Sequence, residues 1–288
     1  MADIPAALVM KLRKMSGQGM MDCKKALQET DGDVEKAMDV LRKKGLATLA
    51  KRAGRDTSEG LVVCKISPDG KTAAMATLCC ETDFVAKSDD FVATAQILAN
   101  AALACPAEEG IENVLEASAD GRKFNDIITE LVSKTGEKTL VGDYAKYKLD
   151  GPGLISTYIH FNEKVGTMIQ IDTSNDALAA KDAIKQTASD IAMHITATKP
   201  LALDKDQIDR QTVEREKAIF AEQVKNKPAN IIEKIVEGKM NKFYAENCLL
   251  QQAFVKDDSK SVEQVITDAA KQAGGEAKIR RFVRFEVG

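Results

Sequence analysis

Displacing the chain by 93 residues lays Gly60 on Gly153, Leu61 on Leu154, Met75 on Met168, Asp83 on Asp176, Ala86 on Ala179, Asp89 on Asp182, Ala95 on Ala188 and Ala99 on Ala192 without a gap. In the same register Ile66 meets Ile159 and Leu78 meets Ile171, so apolar positions are kept along with identities. The residues themselves predict what is repeated. Residues 60–66 and 72–80 read as strands, Ser67-Pro68-Asp69-Gly70 has turn chemistry, and 89–104 has the apolar period of a helix. A chance match would not hold through hairpin, loop and helix together, so two related β-β-α units are expected. Each needs a closing strand. A helix with Phe124, Ile127, Ile128, Leu131 and Val132 leads to 139–149 in the first unit, and 278–287 serves the second.

The flanks read as helical. Residues 4–45 give three short helices, with Leu8, Val9, Leu12 and Met15 facing inward on the first, Cys23, Ala26 and Leu27 on the second, and Val34, Ala37, Met38 and Leu41 on the third. Ser16-Gly17-Gln18-Gly19 separates the first two, Thr30-Asp31-Gly32-Asp33 turns into the third, and Gly45 stands where a helix C-cap belongs. Residues 46–59 are a run with no apolar period after Leu49, carrying Lys51, Arg52, Arg55, Asp56, Thr57 and Ser58, and read as the helix fraying into a linker. Residues 204–247 hold two charge-rich helical patterns joined at Lys225-Asn226-Lys227-Pro228, an antiparallel helical hairpin that must project from the sheet. Its two helices either bury one another or leave an apolar stripe for docking or for a homodimer or 2:2 complex. Ser261-Val262-Glu263-Gln264 is a capping box for a last helix, ended by Gly274-Gly275. The expected fold class is α+β, divided as 1–54, a three-helix domain and linker, 55–150, the first core half, and 151–288, the second, with the hairpin and the closing strand inside it.

Composition narrows the function. Lys plus Arg number 41 against 44 Asp plus Glu, a formal charge of −3, which argues against a chain built to neutralise phosphates, so no direct nucleic-acid contact is expected. The most apolar run, 97–105, is interrupted by Asn100 and too short for a bilayer, and the first helical pattern carries Lys11, Arg13 and Lys14. Neither a membrane span nor a secretory signal is expected. Six cysteines without a CxxC read as reduced thiols of a cytoplasmic chain. Gly70-Lys71-Thr72 resembles the tail of a phosphate loop, but Lys65 stands where its first Gly belongs, and a strand follows. His160 and His194 lie on different elements, and no metal spacing or nucleophilic triad assembles. The chain therefore reads as a protein-binding protein without cofactor or metal, and not as an enzyme.

Two places carry candidate contacts. In the connection Thr82-Asp83-Phe84-Val85, a Phe follows an acid where the loop should be at the surface, and the second unit has Ala177 at that place. Phe84 either plugs the sheet against its helix or projects. Gly19-Met20-Met21 puts two flexible apolar side chains at an interhelical turn, at least one of which is expected to pack inward.

Four blocks extend the reading: Gly19-Met20-Met21-Asp22-Cys23-Lys24-Lys25-Ala26-Leu27, Thr82-Asp83-Phe84-Val85-Ala86-Lys87, Ile191-Ala192-Met193-His194-Ile195 with Lys199-Pro200, and Arg281-Phe282-Val283-Arg284-Phe285-Glu286-Val287-Gly288. In this order they closely resemble the bacterial elongation factor Ts family, guanine-nucleotide exchange factors for elongation factor Tu. The resemblance runs essentially end to end. It implies a UBA-like N-terminal domain, two duplicated α+β halves, an inserted coiled-coil hairpin, and a translation elongation factor that meets elongation factor Tu both GDP-bound and nucleotide-free. It further implies that Thr82, Asp83, Phe84 and Val85 enter beside the partner's magnesium site, with His160 nearby. Thr135 and Gly136 would make a weaker core contact, because many members carry a larger apolar residue there. Arg13, Met20, Met21 and Lys24 would dock on another helix of the partner. Phe161-Asn162-Glu163 departs from the Gly-containing pattern more usual beside that histidine. The competing expectation is a non-exchanging adaptor that binds proteins through the N-terminal domain and the helical arm while Phe84 stays buried.

Overall fold

The computed structural model describes residues 4–119 and 121–288, with Ala229 and Asn230 described by backbone alone. Two compact units emerge: one of Met1–Tyr147, Ile159–Gly166 and Phe285–Gly288, the other of Lys148–Tyr158 and Thr167–Arg284.

The first unit opens with α1 (Ala6–Ser16), α2 (Met20–Glu29) and α3 (Val34–Lys51). Val9, Leu12, Cys23, Ala26, Leu27, Ala37 and Leu41 are buried together. Gly17 ends α1 at φ 66°, its N–H donating to the Arg13 carbonyl at 2.8 Å, and the Asp33 carboxylate caps α3 by accepting from the Lys36 N–H at 3.1 Å. Then follow β1 (Glu59–Ile66), β2 (Thr72–Cys80), α4 (Asp83–Ala86), α5 (Asp89–Ala104), α6 (Ile111–Glu116), the short β3 (Ser118–Ala119) and β4 (Arg122–Lys123), α7 (Phe124–Thr135) and β5 (Thr139–Lys148). The sheet order is β1-β2-β5, with β1 and β2 antiparallel from Glu59 opposite Cys80 to Ile66 opposite Ala73. The middle strand is buried along its length, which is why residues 73–80 lack the alternation of a half-exposed strand. Leu78, Phe91, Leu98, Phe124, Leu131 and Val132 fill the core above it.

The first unit corrects three expectations. Gly45 does not end α3; the helix runs to Lys51, and a methyl at Gly45 would overlap the Thr129 carbonyl of α7. That glycine serves close helix approach, the second use of a missing Cβ. Residues 46–51 are accordingly helix and not linker. The turn after them is tied down, with Lys138 Nζ donating to the Ala53 and Arg55 carbonyls at 2.8 and 2.9 Å. Met15, expected inside, is 55% exposed.

The second unit repeats the hairpin, the one-turn helix, the long helix and the closing strand of the first: β6 (Gly153–Ile159), β7 (Val165–Thr173), α8 (Asp176–Ala179), α9 (Asp182–Thr198), and a last strand that closes a sheet of order β10-β7-β6. Gly60 and Gly153 share one reason to be glycine, since a Cβ would strike the carbonyl of Leu78 in one copy and of Ile171 in the other. Between α9 and that last strand lie α10 (Arg210–Gln223), α11 (Ala229–Asn247), β8 (Ala253–Phe254), β9 (Asp257–Ser261) and α12 (Val262–Gln272), before β10 itself (Ala277–Glu286). No residue of α10 is fully buried; it lies along α11, and Val213 packs half-buried with Phe243 and Tyr244 against Ala202, Ile208 and Cys248. The capping box of α12 is formed, Gln264 N–H donating to Ser261 Oγ at 3.2 Å and Ser261 N–H donating to Gln264 Oε1 at 2.9 Å.

His194 is buried in this second core, and its partners fix its tautomer. The Val255 N–H donates to Nδ1 at 3.2 Å, so Nε2 carries the proton it shares with Gln252 Oε1 at 2.9 Å. Burial holds this imidazole below the usual histidine range, although the Gln252 bond works the other way. It is a satisfied, neutral core group. All six cysteines are free thiols, and burial, with Glu137 nearby, pushes the Cys80 thiol up to about 12.

Candidate functional site

The loop after β2 is built from two caps in series. Thr82 caps α4, its Oγ1 accepting from the Val85 N–H at 3.4 Å, and Ser88 caps α5, its Oγ accepting from the Phe91 N–H at 3.4 Å while donating to the Val85 carbonyl at 2.7 Å. Within this single turn Ala86 is buried and Val85 packs half-buried against the first core. Helical geometry then turns the residue before them outward. Phe84 is 83% exposed. Of the two readings of this ring, the projecting one describes the structure. Asp83 is tied to Lys87, whose Nζ lies 2.8 Å from Oδ2, and that bond holds the Asp83 carboxyl below its ordinary range.

The loop is anchored by a residue that no motif or period singles out. The Glu137 carboxylate accepts from the Thr82 N–H at 3.1 Å and from the Thr82 hydroxyl at 2.8 Å. Glu137 is itself placed by the end of α7, where Gly136 takes φ 71° and its N–H donates to the Val132 carbonyl at 2.9 Å. The Thr135 hydroxyl accepts from the Glu137 N–H at 3.3 Å. Thr135 and Gly136 are thereby brought to the Phe84 loop through Glu137. A second brace is Glu81, which receives the Arg52 guanidinium at 2.7 and 2.8 Å and the Lys138 N–H at 2.7 Å. Desolvation raises its carboxyl, but the Lys138 N–H and Arg52 outweigh it and hold the group below the usual range.

His160 begins the tip of the β6–β7 hairpin. Its N–H donates to the Val165 carbonyl at 2.9 Å, and the Glu163 N–H donates back to the His160 carbonyl at 2.8 Å. The tip lies along the edge strand β1: the Val62 N–H donates to the Glu163 carbonyl at 2.7 Å, and Lys164 Nζ sits 2.6 Å from Glu59 Oε2. Glu59 pairs with Cys80, two residues before Thr82, so Lys164 reaches the end of the sheet from which the Phe84 loop leaves. The His160 ring is tilted at 51° against Phe161, with centroids 4.4 Å apart. Phe161 is 88% exposed, a projecting ring that the sequence marks only as part of a departure from the family pattern.

The N-terminal candidates form a separate surface. Arg13 and Lys24 are exposed, and so are both methionines of the turn, Met20 at 48% and Met21 at 63%, which corrects the expectation that one of them packs inward. Met10 and Met15 are also exposed, an excess of flexible apolar side chains on a small helical module. Among the described residues no helix is long and apolar enough to cross a membrane.

Comparison with known proteins decides the family. Residues 81–288, which include the Phe84 loop, Thr135, Gly136 and His160, match the family described as Elongation factor TS. The chain is 43% identical over 287 residues to elongation factor Ts of a Nitratiruptor species, covering 99% of this chain and 93% of that protein. The chain belongs to the elongation factor Ts family. Elongation factor Ts of Clostridium botulinum strain Eklund 17B is 42% identical, with the same coverage. That of Desulfovibrio desulfuricans is 40% identical over 291 residues, covering 100% of this chain and 99% of the relative. These family alignments take in the N-terminal methionine surface as well as the Phe84 loop.

Proposed function

We propose that this chain is a translation elongation factor that binds elongation factor Tu and speeds its release of GDP, so that GTP can follow. The observation that carries the reading is Phe84, an aromatic ring left 83% in water on a doubly capped, Glu137-anchored loop of an elongation factor Ts family member. A ring so placed contributes nothing to its own core. Buried in a partner, it would contribute about 1.5–3 kcal/mol, or roughly 10- to 150-fold in affinity.

The mechanism follows from linkage. A factor that binds the nucleotide-free partner more tightly than the GDP-bound one weakens GDP binding by the same factor. In this reading Asp83 and Phe84 enter beside the partner's magnesium site, and Val85 and Thr82 hold them at the entrance. Magnesium needs near-octahedral oxygen coordination and bridges the nucleotide phosphates to protein. Displacing the groups that orient it leaves phosphate charge poorly compensated, and GDP departs. Nothing covalent is made or broken, so the chain is an exchange factor and no enzyme. His160, Thr135 and Gly136 flank the same contact, while Arg13, Met20, Met21 and Lys24 hold a second helix of the partner from the UBA-like module. Residues 55–150 and 151–288 act as the two core halves. The coiled-coil arm is left to hold a second copy, in a homodimer or a 2:2 complex. The work is cytoplasmic and involves no direct contact with nucleic acid.

Stopped-flow release of a fluorescent GDP from purified elongation factor Tu, at fixed magnesium, tests this. Acceleration by the wild-type chain is expected. Binding without acceleration would leave the non-exchanging adaptor in its place.

A further inference from the structure

Phe161 is the most exposed large apolar side chain among the described residues, and the segment that carries it has more ties beyond its own turn than its counterpart, the β1–β2 tip. The two hairpins of the duplicated units turn in the same way. In the first, the Gly70 N–H donates to the Ser67 carbonyl at 2.9 Å, and Asp69 Oδ1 accepts from the Lys71 N–H at 3.0 Å. In the second, the Glu163 N–H donates to the His160 carbonyl at 2.8 Å, and Asn162 Oδ1 accepts from the Lys164 N–H at 3.1 Å. Gly70 takes φ 70° at no cost, whereas Glu163 holds φ 56° with a full side chain. A non-glycine residue persists there only where its surroundings over-determine the turn.

The surroundings of Glu163 do so. Beyond its own turn bonds, the second tip is fastened at three points: the Val62 N–H to the Glu163 carbonyl, Lys164 Nζ to Glu59, and the Val287 N–H to the Lys164 carbonyl at 2.8 Å. The first tip presents Pro68 and Asp69 to solvent; the second presents Phe161, its ring supported by His160. The fastening ties the tip to β1 at Val62 through the backbone, and Lys164 reaches Glu59, which lies opposite Cys80 at the strand end before the Phe84 loop. A preformed aromatic needs little ordering on association, so most of its burial appears as affinity.

We infer that Phe161 is a second aromatic anchor for the same partner surface on elongation factor Tu, and that it sets how tightly the complex forms. This rests on the exchange-factor reading above. The site it fills on the partner is an apolar cleft beside the one that takes Phe84. Its assigned contact is one made alike in GDP-bound and nucleotide-free complexes, which is uniform binding and leaves the saturated rate alone.

The test is a titration of GDP release against factor concentration for the wild-type chain, Phe161→Ala, Phe161→Leu and Phe84→Ala, with thermal unfolding of each. Phe161→Ala is expected to raise the half-saturating concentration about tenfold, with the plateau rate within twofold and an unchanged melting temperature. Phe161→Leu should fall between. An unchanged half-saturating concentration would overturn the inference, as would a fall in the plateau alone, or a loss matched by a lower melting temperature. A wild-type chain that gives no acceleration at all would instead sink the exchange-factor reading, and is told apart by that control.

Discussion

The duplicated loops at Phe84 and Ala177 form an internal control. Both follow the middle strand of a three-stranded sheet, and both open a one-turn helix with a polar cap: Thr82 Oγ1 accepts from the Val85 N–H at 3.4 Å, Asn175 Oδ1 from the Leu178 N–H at 2.8 Å. Inward positions match in kind, Val85 with Leu178 and Ala86 with Ala179. The outward position does not: an exposed Ala in one copy, an exposed Phe in the other. The same backbone is therefore built without an aromatic ring. What the fold requires of this loop is the cap and the inward pair, and not the Phe84 ring. The bracing differs in the same sense. In the first loop a remote carboxylate, Glu137, grips both the N–H and the hydroxyl of the cap.

Substituting one inward and one outward position puts this contrast under the greatest strain. Leu178→Ala should cost about 2–5 kcal/mol in urea unfolding, since the side chain is 2% exposed. Phe84→Ala should change stability by less than about 0.5 kcal/mol. Comparable losses would mean that Phe84 belongs to the fold.

Next in size is the brace. Glu137→Ala leaves the Thr82 N–H and hydroxyl without their acceptor and should cost about 1–3 kcal/mol in the same unfolding assay. It should also slow exchange several-fold, because the loop must then be ordered on binding. Full exchange activity in this variant would show that the anchoring is incidental.

Acidification tests the buried histidine of the second core. The His194 pKa is depressed in the folded chain, so above the ordinary histidine value near 6.5 both states are neutral and nothing is lost. As pH falls through that value the unfolded chain takes up a proton that the folded one refuses, and stability declines until the lower folded value is passed. Melting followed over roughly pH 7.5 to 5 should therefore decline less in His194→Gln than in the wild type. Parallel declines would contradict the neutral assignment.

The smallest effect concerns the hairpin tips. Glu163→Gly would relieve a left-handed residue at the place where the β1–β2 hairpin already has Gly70. It should raise stability by no more than about 1 kcal/mol, because the relief is partly offset by added freedom in the unfolded chain. A marked loss would mean that the Glu163 side chain has a role of its own.

The repeat, its strands and its helices are legible in the sequence because alternation and the helical period are local signals. The outward face of Phe84 is half legible, through its alanine copy. Gly45 misleads because a glycine looks the same in sequence whether it accepts a positive φ or lets a second helix approach, and the helix that decides is α7. Met15 lies on an apolar helical stripe, yet its side chain stays in water, and helical period alone does not say where a stripe stops being covered. Glu137 and Phe161 carry no local signal, since each acquires meaning from a residue far off in sequence: Thr82 for the first, and for the second the edge of β1 at Glu59 and Val62.

Phe84 is, on this view, dispensable to the chain and indispensable to exchange. The saturated rate of GDP release from elongation factor Tu with Phe84→Ala, measured beside the unfolding free energy of the same preparation, puts both halves of that statement to one test. The expected result is a clearly lowered saturated rate at unchanged stability. A variant that exchanges nucleotide as fast as the wild type, or one that unfolds as readily as Leu178→Ala, would overturn it.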